Sequence, residues 1–281
     1  MELLLNEKSL DGQFARVEEF YKTLPEMSRN LKALKKLEIP LLRHSTLYQR
    51  KITAEMTLFD LKSSKDNIAP EYRDQVRQWK RELSALVMNP PFWDIEKGME
   101  EEADSLQEAA LRRMDVLSFD HEEYRDVSVC VTCHGEKKFV KSAVSFGYLT
   151  ELLWQKGVLN CLDYLKMRFA NGRVVLDNLD KEKDSVSRLQ KSEIEEILEA
   201  LERFNSALSW DEIQQDRFFY YKSYKPASKK ADYFAGTEFG KKNIDKFRCG
   251  QHSQVRCFGY REEDRFYILM VERDHSVSDT G

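Results

Sequence analysis

Residues 246–275, KFRCGQHSQVRCFGYREEDRFYILMVERDH, decide how the C-terminal part of the chain folds. Two runs in this stretch, 255–260 and 266–273, are rich in β-branched and aromatic residues, which favour strands. The polar run 261–265 separates them, so the pattern predicts a β-hairpin with a loop of about five residues. A third strand is predicted at 247–249, with a turn at Gly250.

Basic side chains are concentrated in and beside these predicted strands: Arg248, His252, Arg256, Arg261, Arg265, Arg273 and His275. Because side chains alternate between the faces of a strand, Arg256, Phe258 and Tyr260 share one face. Strand pairing that adds Arg248 and Arg273 would make that face suitable for phosphate contact and base stacking. Arginines on an edge hairpin also keep a protein in solution and prevent edge-to-edge pairing, so both interpretations stay open.

The residue types in this cluster also suit a ribonuclease. Cleavage of RNA by attack of a 2′-hydroxyl needs groups that bind the phosphate, stabilise developing charge and move protons. Arginine side chains supply the first two functions. The candidates for proton transfer are His252, Tyr260, Tyr267 and His275.

The same pattern of strands and arginines resembles the terminal strands of RelE/HigB-like toxins. The resemblance is carried by Phe247 and Arg248, by residues 255–260 and 266–270, and by residues 273–275. Members of that family are small α/β ribonucleases that act on messenger RNA, often at the ribosome. The resemblance implies phosphate-binding or acid/base roles for Arg248, Arg256, Arg273 and His275.

The cluster and the resemblance together define a set of predicted site residues. The predicted catalytic residues are Arg256, Arg273 and His275. The predicted nucleic-acid-binding residues are Arg248, His252, Tyr260 and Arg265. No cofactor and no metal ion is predicted for this site.

The composition indicates a globular chain with a local basic site. The chain has 281 residues, of which 33% are charged and 41% hydrophobic, and its formal net charge is −4. An acidic chain is not a bulk nucleic-acid binder, so any basic site must be local. The apolar runs are too short to span a bilayer, and the N-terminus lacks the cationic region of a secretory signal. Five cysteines, an odd number, favour free thiols in a reducing cytoplasm.

The order of predicted elements is that of an α+β protein. Residues 1–94 are predicted to be a mainly helical region, 105–210 a mixed α/β region, and 216–281 a C-terminal antiparallel β unit. The acidic run 96–104 is predicted to be a solvated loop. Residues 222–242 are basic and weakly patterned, which predicts a loop or linker.

Two local signals mark helix starts within these regions. Pro25 follows a run with helical spacing and is predicted to lie in the first turn of a second helix. Ser192 and Glu195 match a capping box, which predicts the start of a long amphipathic helix ending before Trp210.

Cys130, Cys133 and His134 have the spacing of a c-type haem attachment site or of half a zinc site. The two cysteines lie in a stretch that alternates as a strand, and an offset of three places them on opposite faces. Haem attachment also needs an oxidising compartment. Buried core thiols are therefore the preferred interpretation.

Asp126 with Glu136, Lys137 and Lys138 resembles the acidic and basic groups of metal-dependent nucleases, in which carboxylates hold a divalent cation. A solvated turn after the preceding strand is the alternative. The sequence has no glycine-rich phosphate loop, no G-x-S-x-G and no H-E-x-x-H, which disfavours an NTPase, a serine hydrolase of the usual type and a zincin.

Three functional hypotheses follow. The first is an RNA-directed toxin or phage-defence effector, motivated by the basic, aromatic hairpin through which it would act. Residues 3–14, LLLNEKSLDGQF, are in addition similar to the openings of uncharacterised bacterial proteins found near phage-defence genes. The second is a non-enzymatic subunit of a defence complex, whose N-terminal helices bind a protein partner. The third is a metal-dependent DNA nuclease. No membrane partner is predicted.

Overall fold

The computed structural model describes residues 1–63, 70–95, 104–226, 231–275 and 277. Helices and two mixed sheets give the predicted α+β fold. The chain forms two compact units, Met1–Lys156 and Gly157–Gly281, so the division falls inside the predicted mixed region 105–210. Residues 96–103 of the predicted acidic loop lie outside the described residues.

The first unit is an α/β arrangement built on a mostly parallel sheet. Strands β1, β2, β3 and β5 run parallel, β4 is antiparallel to β5, and the order is β2-β1-β3-β5-β4. The strands are β1 (Leu3–Asn6), β2 (Leu41–Leu42), β3 (Asp115–Ser118), β4 (Val127–Cys133) and β5 (Glu136–Ala143). The helices are α1 (Val17–Lys36), α2 (Leu58–Ser63), α3 (Arg73–Met88), α4 (Ser105–Arg112) and α5 (Phe146–Gln155), with 3-10 turns at Glu7–Ser9, Leu47–Gln49, Pro70–Tyr72 and Glu122–Tyr124.

The sequence of β1 explains its central place. Leu3, Leu4 and Leu5 are fully buried, and a continuous apolar run is typical of a parallel strand covered on both faces. The prediction of two helices around Pro25 was wrong, because α1 continues through this residue as one helix of 20 residues. In the described parts of the chain no helix is both long and apolar enough to cross a membrane.

The second unit holds the predicted C-terminal strands. Its five-stranded sheet has the order β6-β10-β9-β8-β7, with β6 parallel to β10 and the other pairs antiparallel. The strands are β6 (Val174–Val175), β7 (Lys222–Ser223), β8 (Ile244–Arg248), β9 (Arg256–Glu262) and β10 (Arg265–Glu272). The helices are α6 (Cys161–Arg168), α7 (Lys191–Ser206) and α8 (Trp210–Gln215).

Two local predictions for this unit need correction. The hairpin has a two-residue turn rather than a loop of about five, because the polar residues 261, 262 and 265 continue the pairing of β9 and β10. Helix α7 begins earlier than Ser192. Gln190 is its N-cap, and the backbone N–H of Gln190 donates to Glu193 Oε2 over 2.7 Å.

The two faces of the C-terminal sheet are covered differently. On one face, Phe247, Phe266 and other side chains pack on Phe204 of α7, whose ring centroid lies 5.0 Å from that of Phe247 and 5.6 Å from that of Phe266. On the other face, Phe258 and Tyr260 pack under a segment that carries the buried rings of Phe234 and Phe239. The candidate functional site lies on this second face too, at the end away from Phe239 and Tyr260.

We predict that Phe204→Ala destabilises the protein by about 3–5 kcal/mol, because it empties the centre of this aromatic core. Phe204 is fully buried, whereas Leu208, in the same part of the chain, is 91% exposed. The matched control Leu208→Ala should change the free energy of unfolding by no more than about 0.5 kcal/mol. Urea unfolding followed by circular dichroism measures both. Equal effects of the two changes would show that Phe204 does not hold the core.

Candidate functional site

Strand register brings four cationic side chains to one end of the second face. Arg248 of β8 lies directly opposite Arg256 of β9. Lys222 of β7 lies opposite Lys246, which precedes Arg248 by two residues and therefore shares its face. These four residues, with Tyr220 and Phe247, line a small depression that we call the basic pocket.

A buried ion pair holds one guanidinium of the basic pocket in place. Glu272 of β10 lies opposite Arg256, and their side chains approach to 3.6 Å between Nη1 and Oε2. The Arg256 side chain is 5% exposed and that of Glu272 is fully buried. Burial lowers the pKa of Arg256, Glu272 opposes this effect, and the nearby charge of Arg248 adds to it. The ion pair therefore holds the positively charged guanidinium of Arg256 in a partly desolvated position.

His275 is the second side chain that contacts the guanidinium of Arg256. Arg256 Nη1 donates to His275 Nδ1, and His275 Nε2 lies 2.6 Å from Gln254 Oε1. The imidazole that fits both partners is neutral, accepts at Nδ1 and donates from Nε2. Burial and the charge of Arg256 lower the pKa of His275 from its ordinary value, which favours the same neutral form. Both ring nitrogens are thus engaged inside the protein.

Tyr220 stands at the edge of the basic pocket. Its side chain is 53% exposed, and its ring centroid lies 4.7 Å from Lys222 Nζ and 4.9 Å from Arg248 Cζ. Sequence reasoning missed Tyr220, Lys222 and Lys246 as site residues. The sequence spacing could have identified them. Lys246 stands two residues before Arg248, and Tyr220 stands two before Lys222, which is the spacing of side chains on one face of a strand.

The structure brings Arg248, Arg256 and His275 together, but it places Arg273 elsewhere. Arg273 follows the last residue of β10, and its Nε donates to Glu193 Oε1 over 3.0 Å. Its Nη1 donates to the backbone oxygen of Arg188 over 2.9 Å. Because successive residues alternate, the side chain of Arg273 leaves the face of Glu272 for the face covered by α7.

The other three predicted contact residues lie outside the basic pocket. Tyr260 is buried, with its ring 5.0 Å from Tyr267 and 6.0 Å from Phe239 between centroids. His252 is exposed in the turn between β8 and β9. Arg265 is exposed at the far end of the hairpin, six strand residues or about 20 Å from the end that carries Glu272.

The cysteine and carboxylate patterns of the first unit do not form one site. Cys130 is exposed and Cys133 buried, so β4 places them on opposite faces as predicted, whereas the interpretation as buried core thiols was wrong for Cys130. Asp126 Oδ1 accepts from the backbone N–H groups of Val144 and Ser145, each over 2.9 Å, whereas Glu136 lies at the other end of β4. A strand of seven residues, about 20 Å, separates the two carboxylates. The described ranges contain no group of three residues placed to hold a metal ion.

We predict that Glu272→Ala lowers the free energy of unfolding by about 3 kcal/mol, because it leaves Arg256 buried without its carboxylate. The control is Glu262→Ala, which removes a carboxylate of the same strand pair that is 46% exposed and contacts Lys242. An exposed pair contributes about 0–1 kcal/mol, so the control should change stability little. Thermal and urea unfolding measure the difference. A tolerated Glu272→Ala would mean that the buried pair does not stabilise the unit.

Comparison of the chain with models of protein families, with curated proteins and with solved structures found no match.

Proposed function

We propose that this chain is an RNA-directed effector that binds the RNA backbone in the basic pocket. The observation that carries the proposal is the convergence of Lys222, Lys246, Arg248 and Arg256 on one pocket. No carboxylate is among the described residues that line it. Such a concentration of basic side chains, on a chain whose net charge is −4, favours a polyanionic ligand at this place.

The chemistry of the pocket suits phosphate. Guanidinium groups donate two parallel hydrogen bonds to phosphate oxygens, and lysine ammonium groups act as point charges. The side chain of Arg256 is held by Glu272 and His275 before any ligand arrives, so little rotamer entropy is lost on binding. The resemblance of residues 246–275 to RelE/HigB-like toxins directs the proposal to RNA rather than to other polyanions. A cytoplasmic role in bacterial phage defence belongs to the same proposal.

We predict that Arg248→Gln weakens RNA binding about tenfold and lowers the slope of log affinity against log salt by about one, because one phosphate contact is lost. Arg248 is chosen because its side chain is the more exposed of the two opposed arginines. The measurement is fluorescence anisotropy of a labelled RNA at several salt concentrations.

The matched control is Arg265→Gln, which removes the same charge at the far end of the hairpin. It should leave both the affinity and the salt slope nearly unchanged. Equal losses for the two variants would indicate a diffuse electrostatic effect and would contradict a site. Absence of any RNA affinity in the wild type, together with a stable complex with a protein partner, would favour the protein-interaction subunit instead.

A second candidate function is cleavage of the bound RNA, favoured by the contact between His275 and Arg256. In this reaction the 2′-oxygen attacks phosphorus, the bond to the 5′-oxygen breaks, and a base takes the 2′-proton while the 5′-oxygen gains one. A neutral imidazole is the protonation state that accepts a proton. For His275 to do so, Nδ1, the ring nitrogen that carries the lone pair, must exchange Arg256 for the substrate.

We predict for this candidate that wild-type protein shortens RNA in the presence of a chelator, and that His275→Asn abolishes cleavage but keeps RNA binding. Gel electrophoresis of end-labelled RNA measures cleavage, and growth of cells expressing each variant measures toxicity. Intact RNA with the wild type would reject cleavage and leave the binding function. Cleavage of DNA that the chelator abolishes and that requires Glu136 would instead support the metal-dependent nuclease.

A further inference from the structure

We infer that the mouth of the basic pocket binds a phosphodiester next to an unpaired base, and that Tyr220 is the surface on which this base stacks. The ligand class is therefore a single-stranded nucleic acid rather than a duplex. This inference rests on the proposed function and specifies the substrate of the same site.

The exposure of Tyr220 is unusual for its position in the chain. The run 218–221 is Phe-Phe-Tyr-Tyr, and its neighbours are anchored. Phe219 is buried in the aromatic core, and the hydroxyl of Tyr221 donates to Asp245 over 2.7 Å. Tyr220 alone in this run is more than half exposed, so packing does not account for an aromatic residue there.

The backbone of Tyr220 gives a second, independent observation. Its φ is +47°, in the left-handed region that glycine and asparagine adopt more readily than aromatic residues. Residues held in such conformations cluster at active sites and ligand-binding sites, where the backbone conformation pre-organises the side chain for the ligand. Here the conformation turns an exposed ring beside the cations of the basic pocket.

The juxtaposition of ring and cations fits one nucleotide of a single strand. In a nucleic acid the base and its phosphate are joined through one sugar, so a stacking ring must lie next to the phosphate-binding group. Tyr220 meets this condition, because Arg248 lies against its ring and also opposite Arg256. Stacking on a protein ring needs a base whose face is open, which a duplex does not offer.

A different role for Tyr220 would be to position Lys222 and Arg248 through cation–π contacts alone. The two roles differ in what they predict for duplexes. A positioning residue affects phosphate contact with single strands and duplexes alike. A stacking residue affects single strands only.

The experiment measures the anisotropy of a labelled 12-nucleotide RNA, of the same RNA in a duplex, and of the single-stranded DNA of the same sequence. The variants are Tyr220→Ala, Tyr220→Phe and Tyr220→Asn. The control is Phe139→Ala, which removes a ring that is 70% exposed in the first unit. We expect Tyr220→Ala to weaken single-strand binding about 10- to 100-fold, as loss of one stacked base does. Duplex binding should not change, and Phe139→Ala should bind like the wild type. Tyr220→Phe, which keeps the ring, should recover most of the single-strand affinity that Tyr220→Ala loses.

Tyr220→Asn separates loss of binding from loss of folding. Asparagine adopts a positive φ with less strain than tyrosine, so the melting temperature of this variant should equal or exceed that of the wild type while single-strand affinity falls. Wild-type binding of duplex and single strand with equal affinity would overturn the inference, and so would equal losses for both ligands in Tyr220→Ala. Either result leaves RNA binding in place.

The remaining outcomes concern the proposed function. Binding of single-stranded DNA in preference to single-stranded RNA would support the stacking inference and contradict the assignment of RNA. Failure of the wild type to bind any of the three ligands would overturn both.

Discussion

The buried ion pair between Arg256 and Glu272 is the interaction on which the basic pocket of the second unit depends. Removal of a guanidinium and a carboxylate from water is unfavourable unless each compensates the other. The pairing of β9 with β10 provides this compensation by placing the two residues directly opposite. A shift of β10 by one residue would turn Glu272 toward the aromatic core around Phe204 and leave Arg256 without its carboxylate. The pair and the register therefore support each other.

The same pair also orders the groups around it. Glu272 Oε1 accepts the backbone N–H of Val277 over 2.5 Å, which ties the end of the chain to the sheet. Arg256 in turn holds His275, whose other nitrogen contacts Gln254. Glu272 thus fixes the guanidinium of Arg256 on the face that also carries Lys222, Lys246 and Arg248. The stability of this face and the order of the basic pocket are linked through this one residue.

Local pattern was sufficient to predict the strands β8, β9 and β10 and part of the basic pocket. Alternation along 255–260 correctly placed Arg256 and Tyr260 on one face, because period two is a property of any strand. The same rule could not show that Tyr260 is covered, because Phe239, which packs on it, comes from a weakly patterned segment 21 residues away. The position of Arg273 depends on where β10 ends, and strand ends are set by pairing with another strand rather than by local composition.

Long-range pairing also explains what was missed. Lys222 joins the basic pocket only because β7 pairs with β8, and a strand of two residues leaves little local signal. In the first unit, β1 and β2 lie within the region predicted as mainly helical for the same reason, since parallel strands far apart in sequence meet only in the folded chain.

The division of the second sheet face into an apolar and a basic half limits how much of a ligand the unit can hold. Phe234 and Phe239 cover the apolar half, and at the other end of the face the described residues leave Tyr220 exposed and Arg248 partly exposed, whereas Arg256 is buried. From β7 to β10 this end spans three strand spacings, about 14 Å, which corresponds to a footprint of a few nucleotides. So short a contact gives modest affinity to each copy. Firm retention on a long strand would then require avidity, with several copies or a second tethered contact acting on the same molecule.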